Sequence, residues 1–342
     1  MTVFPGYGIA LVLLGGVLNG SFVYPMKRLR NWKWENVWFV YSVVGLLIVP
    51  WSFAVLAEPH LWGIFSTATW PTLALVIMFG FGWGIGSVLF GLGIARMGLA
   101  VGYGIILGLN ASFGTLLPLL VLHPEKLFST QGHSLLVGMV IVLVGILCCA
   151  VAARLREQAS IGLQSTGGKS GLASGMLICI LAGMFSPMLN FSFVFGTELK
   201  DKALSSGTSA MMASNAIWAL TLTAGFLVNA GYSFYLLQRN DTWKRFRSSQ
   251  ITGGYWFAAA LMGVICFGSF IVYGMGATVL GSLGGVMGWP LFMSMSLITS
   301  NVLGSISGEW SGAPRRAWVY SATGMILLIV AITVISVGGG RR

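Results

Sequence analysis

The chain alternates long apolar runs with short polar ones, and ten of the runs approach the roughly 20 apolar residues that one helical crossing of a bilayer requires. They fall at about residues 8–25, 37–56, 73–95, 99–122, 134–153, 171–195, 209–236, 255–273, 278–306 and 317–337. The least distinct division is Tyr273 to Leu280, where glycines alone separate the eighth run from the ninth. The pattern predicts an all-α integral membrane protein with ten transmembrane helices.

The most polar stretch, RLREQASIGLQSTGGK, follows the fifth run and divides the chain into five helices at 1–153, a linker at 154–170, and five more at 171–342. An odd number of crossings per half makes the second half enter from the opposite side, so the expected architecture is two inverted five-helix repeats. LLGGVLNGSFV in helix one and ILAGMFSPMLN in helix six share a pattern of small residues.

Composition agrees with this division. Hydrophobic residues make up 56% of 342 positions and charged ones 8%, against about 25% charged in an ordinary soluble domain, which excludes a soluble fold. The net charge of +11 sits in short clusters between apolar runs, so it reads as a topology signal and not as a nucleic-acid surface. One set of alternate connections holds 14 Lys and Arg; the other set with the C-terminus holds 5. The excess predicts a cytoplasmic Lys27–Lys33 loop and linker, with Arg342 outside. MTVFPGYGIALVLLGG lacks a basic leader and a small-residue cleavage site, so its run is expected to stay as the first helix. Cys148, Cys149, Cys179 and Cys266 lie in apolar runs without CxxC spacing, and no metal or cofactor is expected.

Every Asp and Glu lies in a connection or at a helix end. Ion pumps carry a carboxylate deep in the membrane, so the pattern favours a neutral substrate. The interiors carry amides and indoles instead. Asn19, Trp83, Asn110, Trp218 and Trp289 fall near mid-depth, with Asn190 and Asn215 nearby, while ten of the thirteen tryptophans sit near helix ends. A single buried Asn is ordinarily an interhelical hydrogen bond, but joint placement at the depth where secondary transporters bind substrate marks Asn19, Trp83, Asn110, Asn190, Trp218 and Trp289 as substrate-binding candidates. Amides exchange hydrogen bonds with hydroxyls and indoles pack on the C–H face of a sugar ring. Gly80, Gly82, Gly84 and Gly86, like Gly281, Gly284, Gly285 and Gly288, are spaced for close helix packing. Pro118, Pro187 and Pro290 lie inside predicted helices, and the last two, beside polar or aromatic residues, are the better candidates for a functional break.

Four stretches resemble the L-rhamnose-proton symporter family of the drug/metabolite transporter superfamily: YPMKRLRNWKWENVW at 24–38, FGFGWGIGSVLFGLGIARMGLAVGYGIILGL at 79–109, FGTLLP at 113–118 and SGEWSGAPRR at 307–316. The resemblance implies a bacterial multi-pass inner-membrane protein that imports a neutral monosaccharide, L-rhamnose or a related 6-deoxyhexose, by proton symport with alternating access. Its implied partners are the sugar, protons and the lipid bilayer, and no nucleic acid. The sequence departs from the family pattern in helix nine: the Asp four residues before Trp289 and the His three after it are here Gly285 and Phe292. Glu309, in the family-like GEW, is then the remaining proton-coupling candidate, with an anchoring pair to Arg315 or Arg316 as its alternative role. An exporter, exchanger or facilitator of another small metabolite on the same fold stays open. A membrane-embedded transferase needs acid-base groups or a metal on a substantial loop, which these short connections do not supply.

Overall fold

The computed structural model describes residues 5–161, 169–247 and 253–340. Ten helical spans emerge from the ten apolar runs: Gly6–Arg28, Trp34–Ala57, Trp70–Met97, Gly104–Leu122, Thr130–Ala159, Ala173–Ser205, Asn215–Arg239, Gly253–Val279, Gly281–Ile306 and Arg315–Gly338, named below spans one to ten. Spans three and four join in one helical run, Trp70–Leu122, that folds back on itself. A Cβ on Gly102 would lie 3.2 Å from the Cα of Ile94, whereas eight residues of straight helix extend about 12 Å.

Two boundaries differ from the sequence reading. Span eight continues to Val279, six residues past its expected end, because Gly274 and Gly276 are packing surfaces inside the helix: a Cβ on Gly276 would meet the Gly8 carbonyl at 2.6 Å. The chain reverses instead at Gly281, whose φ of +80° suits glycine. Span seven begins at Asn215, after a polar turn, and not at 209. Span six is broken at Ser186 and Pro187 between helices Lys169–Phe185 and Met188–Phe195, and Thr197–Ser205 is a separate polar helix.

Small residues set the neighbours, since close packing replaces the hydrophobic drive inside a bilayer. Span one wedges between spans eight and nine. Gly15 presses on the Ser269 carbonyl of span eight, and Gly16 on Phe292 and Met295 of span nine. Span six wedges likewise between spans three and four, with Gly86 on Phe185 and Ser186 and Gly183 on Leu109. The remaining helix-three glycines alternate partners, Gly80 and Gly84 facing Thr221 and Gly225 of span seven, and Gly82 facing Met188 of span six. Gly45 lies against Gly263 of span eight, within a π-helical turn at Val43–Ile48 that bulges span two.

Spans two and seven run antiparallel along one seam. From one end to the other it joins Thr242 Oγ1 to Glu35 (3.0 Å), Trp38 Nε1 to Asn229 (3.0 Å), Trp51 Nε1 to Thr223 (2.7 Å) and the Ala216 N–H to Glu58 (3.0 Å). Spans five and ten form a second antiparallel pair through Gly145 against Leu328 and Gly324 against Cys149. The wedging of span one between spans eight and nine thus recurs, with the numbers offset by five, in that of span six between spans three and four.

The basic connections gather at one end of the bundle: Lys27 and Arg156 both pair with Glu309, and Arg245 donates to the Asn31 carbonyl (2.6 Å). The opposite end gathers Glu58 with span seven and Thr69 with Glu198 (2.8 Å). The linker residues 162–168 and Arg341 and Arg342 lie outside the described residues.

Candidate substrate site and its two ends

A proline starts the central polar junction. Pro118 has no N–H to give the Gly114 carbonyl one turn earlier, so that acceptor needs another donor. It takes Asn190 Nδ2 at 3.0 Å, and the same amide nitrogen donates to the Gly285 carbonyl at 3.0 Å. Tyr273 donates its hydroxyl to Asn190 Oδ1 at 2.5 Å. Spans four, six, eight and nine are thereby tied at one fully buried point. Of the three prolines it is Pro118, the least suspected from sequence, whose freed carbonyl the amide satisfies.

Around this point the sequence candidates form a chain of contacts. Trp289 stacks on Phe292 (5.6 Å between centroids) and donates Nε1 to the Asn110 carbonyl (3.3 Å). Trp218 is sandwiched between Phe193 (5.5 Å) and Phe270 (6.0 Å), and Trp83 meets the edge of Phe270 at 5.9 Å. Asn19 donates to Ser296 Oγ at 3.0 Å across spans one and nine. Asn215 stands apart at the start of span seven, with its amide on Met212 Sδ. The Asn110 amide oxygen and the Trp218 indole nitrogen are buried without a partner. At Gly285 there is no room for a side chain, since a Cβ would lie 2.5 Å from Val194 Cγ2. Phe292 is fully buried against Trp289 and Tyr273.

The junction closes the way toward the end bearing Glu58. On its other side a cavity of about 250 Å³ runs to the basic end, walled by Gly20, Leu107, Ile146, Leu297, Ser300 and Asn301. None of the six candidates lines it directly; Asn19 precedes Gly20, and Asn110 lies one turn from Leu107. At its mouth Glu309 binds Lys27 (2.5 Å) and Arg156 (3.3 Å), while Arg156 also covers the Trp310 ring. Glu309 pairs with these two cations and not with Arg315 or Arg316, because the turn at Gly308 (φ +80°) points it back toward spans one and five.

Sequence reasoning missed three parts of this arrangement. Tyr273 was hidden by the glycine run that seemed to end its helix. Asn229, buried and accepting from Trp38 and Ser87, was legible as an Asn inside an apolar run. Glu58, at a helix end as the sequence places it, is 1% exposed. Span two delivers it into a pocket beneath Leu61–Thr67, and burial pushes its carboxyl up to about 7.

Comparison with known proteins identifies the family. The chain is similar to proteins named L-rhamnose-proton symporter from Escherichia coli (25% identity over 343 residues), Klebsiella pneumoniae (26% over 343) and Citrobacter koseri (26% over 339), each match covering 97% of both chains. A solved crystal structure matches with a TM-score of 0.56 at 14% identity over 95% of both chains, a likeness of fold. The family model for the L-rhamnose-proton symport protein (RhaT) matches residues 4–340, nearly the whole length, and the described residues hold ten helices long and apolar enough to cross a membrane: the chain belongs to that family.

Proposed function

We propose that this protein imports a neutral monosaccharide, L-rhamnose or a related 6-deoxyhexose, across a bacterial inner membrane together with protons. It does so by alternating access between two inverted halves, 1–153 and 171–342. The basic end faces the cytoplasm, in keeping with the excess of Lys and Arg in its connections, and the described arrangement is then open inward and sealed outward. The offset-by-five neighbour pattern supports the inverted repeat. Asn19, Trp83, Asn110, Asn190, Trp218 and Trp289 are the groups that hold the sugar, and outward opening parts the junction that now buries Asn110, Asn190, Trp218 and Trp289.

The observation that carries this reading is Asn110. Its amide oxygen is buried without a partner one turn above the cavity wall, and a buried acceptor left unpaired costs about 1–3 kcal/mol. A sugar hydroxyl entering the cavity supplies the missing donor. The aromatic faces of Trp289 and Trp83 suit the C–H face and methyl group of a deoxy sugar. With no carboxylate or imidazole at positions 285 and 292, the site holds the sugar through neutral groups, and the ion-paired Glu309 at the inner mouth remains a proton-coupling candidate.

The test is uptake and counterflow of labelled L-rhamnose in cells expressing the full chain. Asn110→Ala is expected to weaken sugar affinity by about tenfold to a hundredfold, the equivalent of one lost hydrogen bond of about 1–3 kcal/mol, with the protein still inserted. Saturable counterflow with unchanged affinity in the variant removes Asn110 from the site. Absence of rhamnose transport by the unaltered protein overturns the substrate.

A further inference from the structure

Glu58 is an unusual group for the last residue after a membrane helix. It is 1% exposed, in a cluster formed by Ala54, Leu61, Ile64, Leu199, Ala213 and Ile217. One carboxyl oxygen, Oε1, accepts the N–H of Ala216 at 3.0 Å, in the first turn of the 25-residue span seven. The other, Oε2, is buried with no partner. A charged carboxylate gains from the N–H groups and dipole of a helix N-terminus, here the N–H groups of Ala216 and Asn215, yet Oε2 is left without a donor in an apolar site.

Among the described residues no cation pairs with it. Nothing charged stands on span two near this end or on the first half of span seven. His60, beside Leu61–Thr67, is exposed. On the packed helix Thr197–Ser205, Glu198 is occupied by Thr69, Thr72 and Lys202, and Lys200 and Asp201 make no ion pair with Glu58. An isolated, buried, half-satisfied carboxyl is balanced between its two protonation states, in line with the upward displacement to about 7 that burial causes. It also lies one residue from the surface, since Pro59 is exposed.

We propose that Glu58 is a proton-operated latch of the outer end: protonated, it stays buried and holds the start of span seven against the end of span two; charged, once its proton leaves to the outside, it draws toward water and loosens that contact. The consequence reaches the substrate path directly. Trp218 lies two residues from Ala216 and is stacked on Phe193 and Phe270, beside Tyr273. Movement of the first turn of span seven therefore disturbs the aromatic packing that seals the junction outward. The latch rests on the inverted, inward-open reading for its name of outer end, but its proton chemistry does not depend on which sugar is carried.

The experiment needs no sugar. Ala213 is fully buried just before span seven. In the full-length protein in liposomes, Ala213→Cys is exposed to a membrane-impermeant thiol reagent from the outside, with the unaltered chain as the background for its native cysteines. Labelling, normalised to that of a cysteine on an exposed connection, is expected to become several-fold faster between about pH 6 and about pH 8, beyond the rise in thiol reactivity itself; adding Glu58→Gln keeps it slow at both values. Labelling that merely slows with acidity, equally in both backgrounds, overturns the latch. Should either variant not fold, infrared titration of the unaltered protein decides: a carboxyl band appearing near pH 7 upholds the site, and none above about pH 5 overturns it. A latch that works in a protein moving no rhamnose leaves Glu58 in place and overturns the substrate reading instead.

Discussion

The two ends of this bundle are closed by opposite chemistry. At the basic end Glu309 is 43% exposed by its side chain and shared by Lys27 and Arg156. That is a hydrated cluster whose members lose little on separating, because water and salt replace what they give up. Toward the other end the closing contacts are dry: Asn190, Tyr273 and two backbone carbonyls, the Trp218 sandwich, and Glu58 under span seven. Breaking these exposes groups that have no substitute partner. The difference explains why a cavity enters from the basic end: it is the end whose contacts are easily surrendered. In the proposed alternating cycle the barrier then falls at the junction of spans four, six, eight and nine.

The severest challenge to this contrast is Asn190→Ala. It strips the side-chain donor from the Gly114 carbonyl, one of two from the Gly285 carbonyl, and the nearer acceptor from the Tyr273 hydroxyl, which keeps only the Gly285 carbonyl at 3.4 Å, all fully buried. At about 1–3 kcal/mol for each group left unpaired, tempered because a helix within lipid finds other partners, the expected loss is about 2–4 kcal/mol. Thermal melting of the purified protein in detergent should fall well below that of the parent. An unchanged melting temperature would mean that the junction is as replaceable as the basic mouth, and the contrast would be gone.

Helix number and order were legible because a bilayer imposes one length on every crossing, and the ten apolar runs returned as ten spans. What was not legible was where glycine ends a helix and where it packs one. Gly274 and Gly276 sit inside span eight while Gly281 turns the chain, and only the neighbour on the far side, Gly8 in one case and open space in the other, distinguishes them. The candidate amides and indoles could be listed from their depth. Their partners could not, since hydrogen bonds from Asn190 to residues 76 and 95 positions away depend on tertiary packing. Pro118 was the one local clue, because a proline announces that a carbonyl one turn before it lacks its donor. Glu58 shows the reverse failure: its sequence neighbours end an apolar run and suggest solvent, but the Leu61–Thr67 helix folds over it.

A second test sharpens the contrast through pH. The folded-state value of Glu58, about 7, lies above the ordinary carboxylate value of 4.5. Between these values the folded protein binds more of a proton than the unfolded one, so the contribution of Glu58 to stability is full below about 4.5 and is lost as pH rises toward about 7. The sign is opposite to that of a salt-bridged carboxylate. The span of the displacement corresponds to about 3 kcal/mol at most. Melting temperature measured across this window should therefore fall with rising pH more steeply in the parent than in Glu58→Gln. Equal slopes would show that the buried carboxyl does not titrate there.

The smallest effect belongs to the basic mouth. Glu309→Gln removes the acid that Lys27 and Arg156 share and leaves two cations facing each other across the cavity entrance. Because the group is exposed, the loss of stability should stay under about 1 kcal/mol and should shrink further in about 1 M salt, where the screening length drops to about 3 Å. The structural consequence is larger than the energetic one. Repulsion between Lys27 and Arg156 widens the mouth, so a cysteine at Asn301, in the cavity wall, should react faster with a thiol reagent applied to the basic end, and high salt should cancel the gain. If Glu309→Gln instead lowers the melting temperature as far as Asn190→Ala does, the inner cluster is a structural clamp and the two ends are equals. If it abolishes sugar-driven proton uptake while the mouth stays unchanged, Glu309 carries the coupled proton and Glu58 only times the opening.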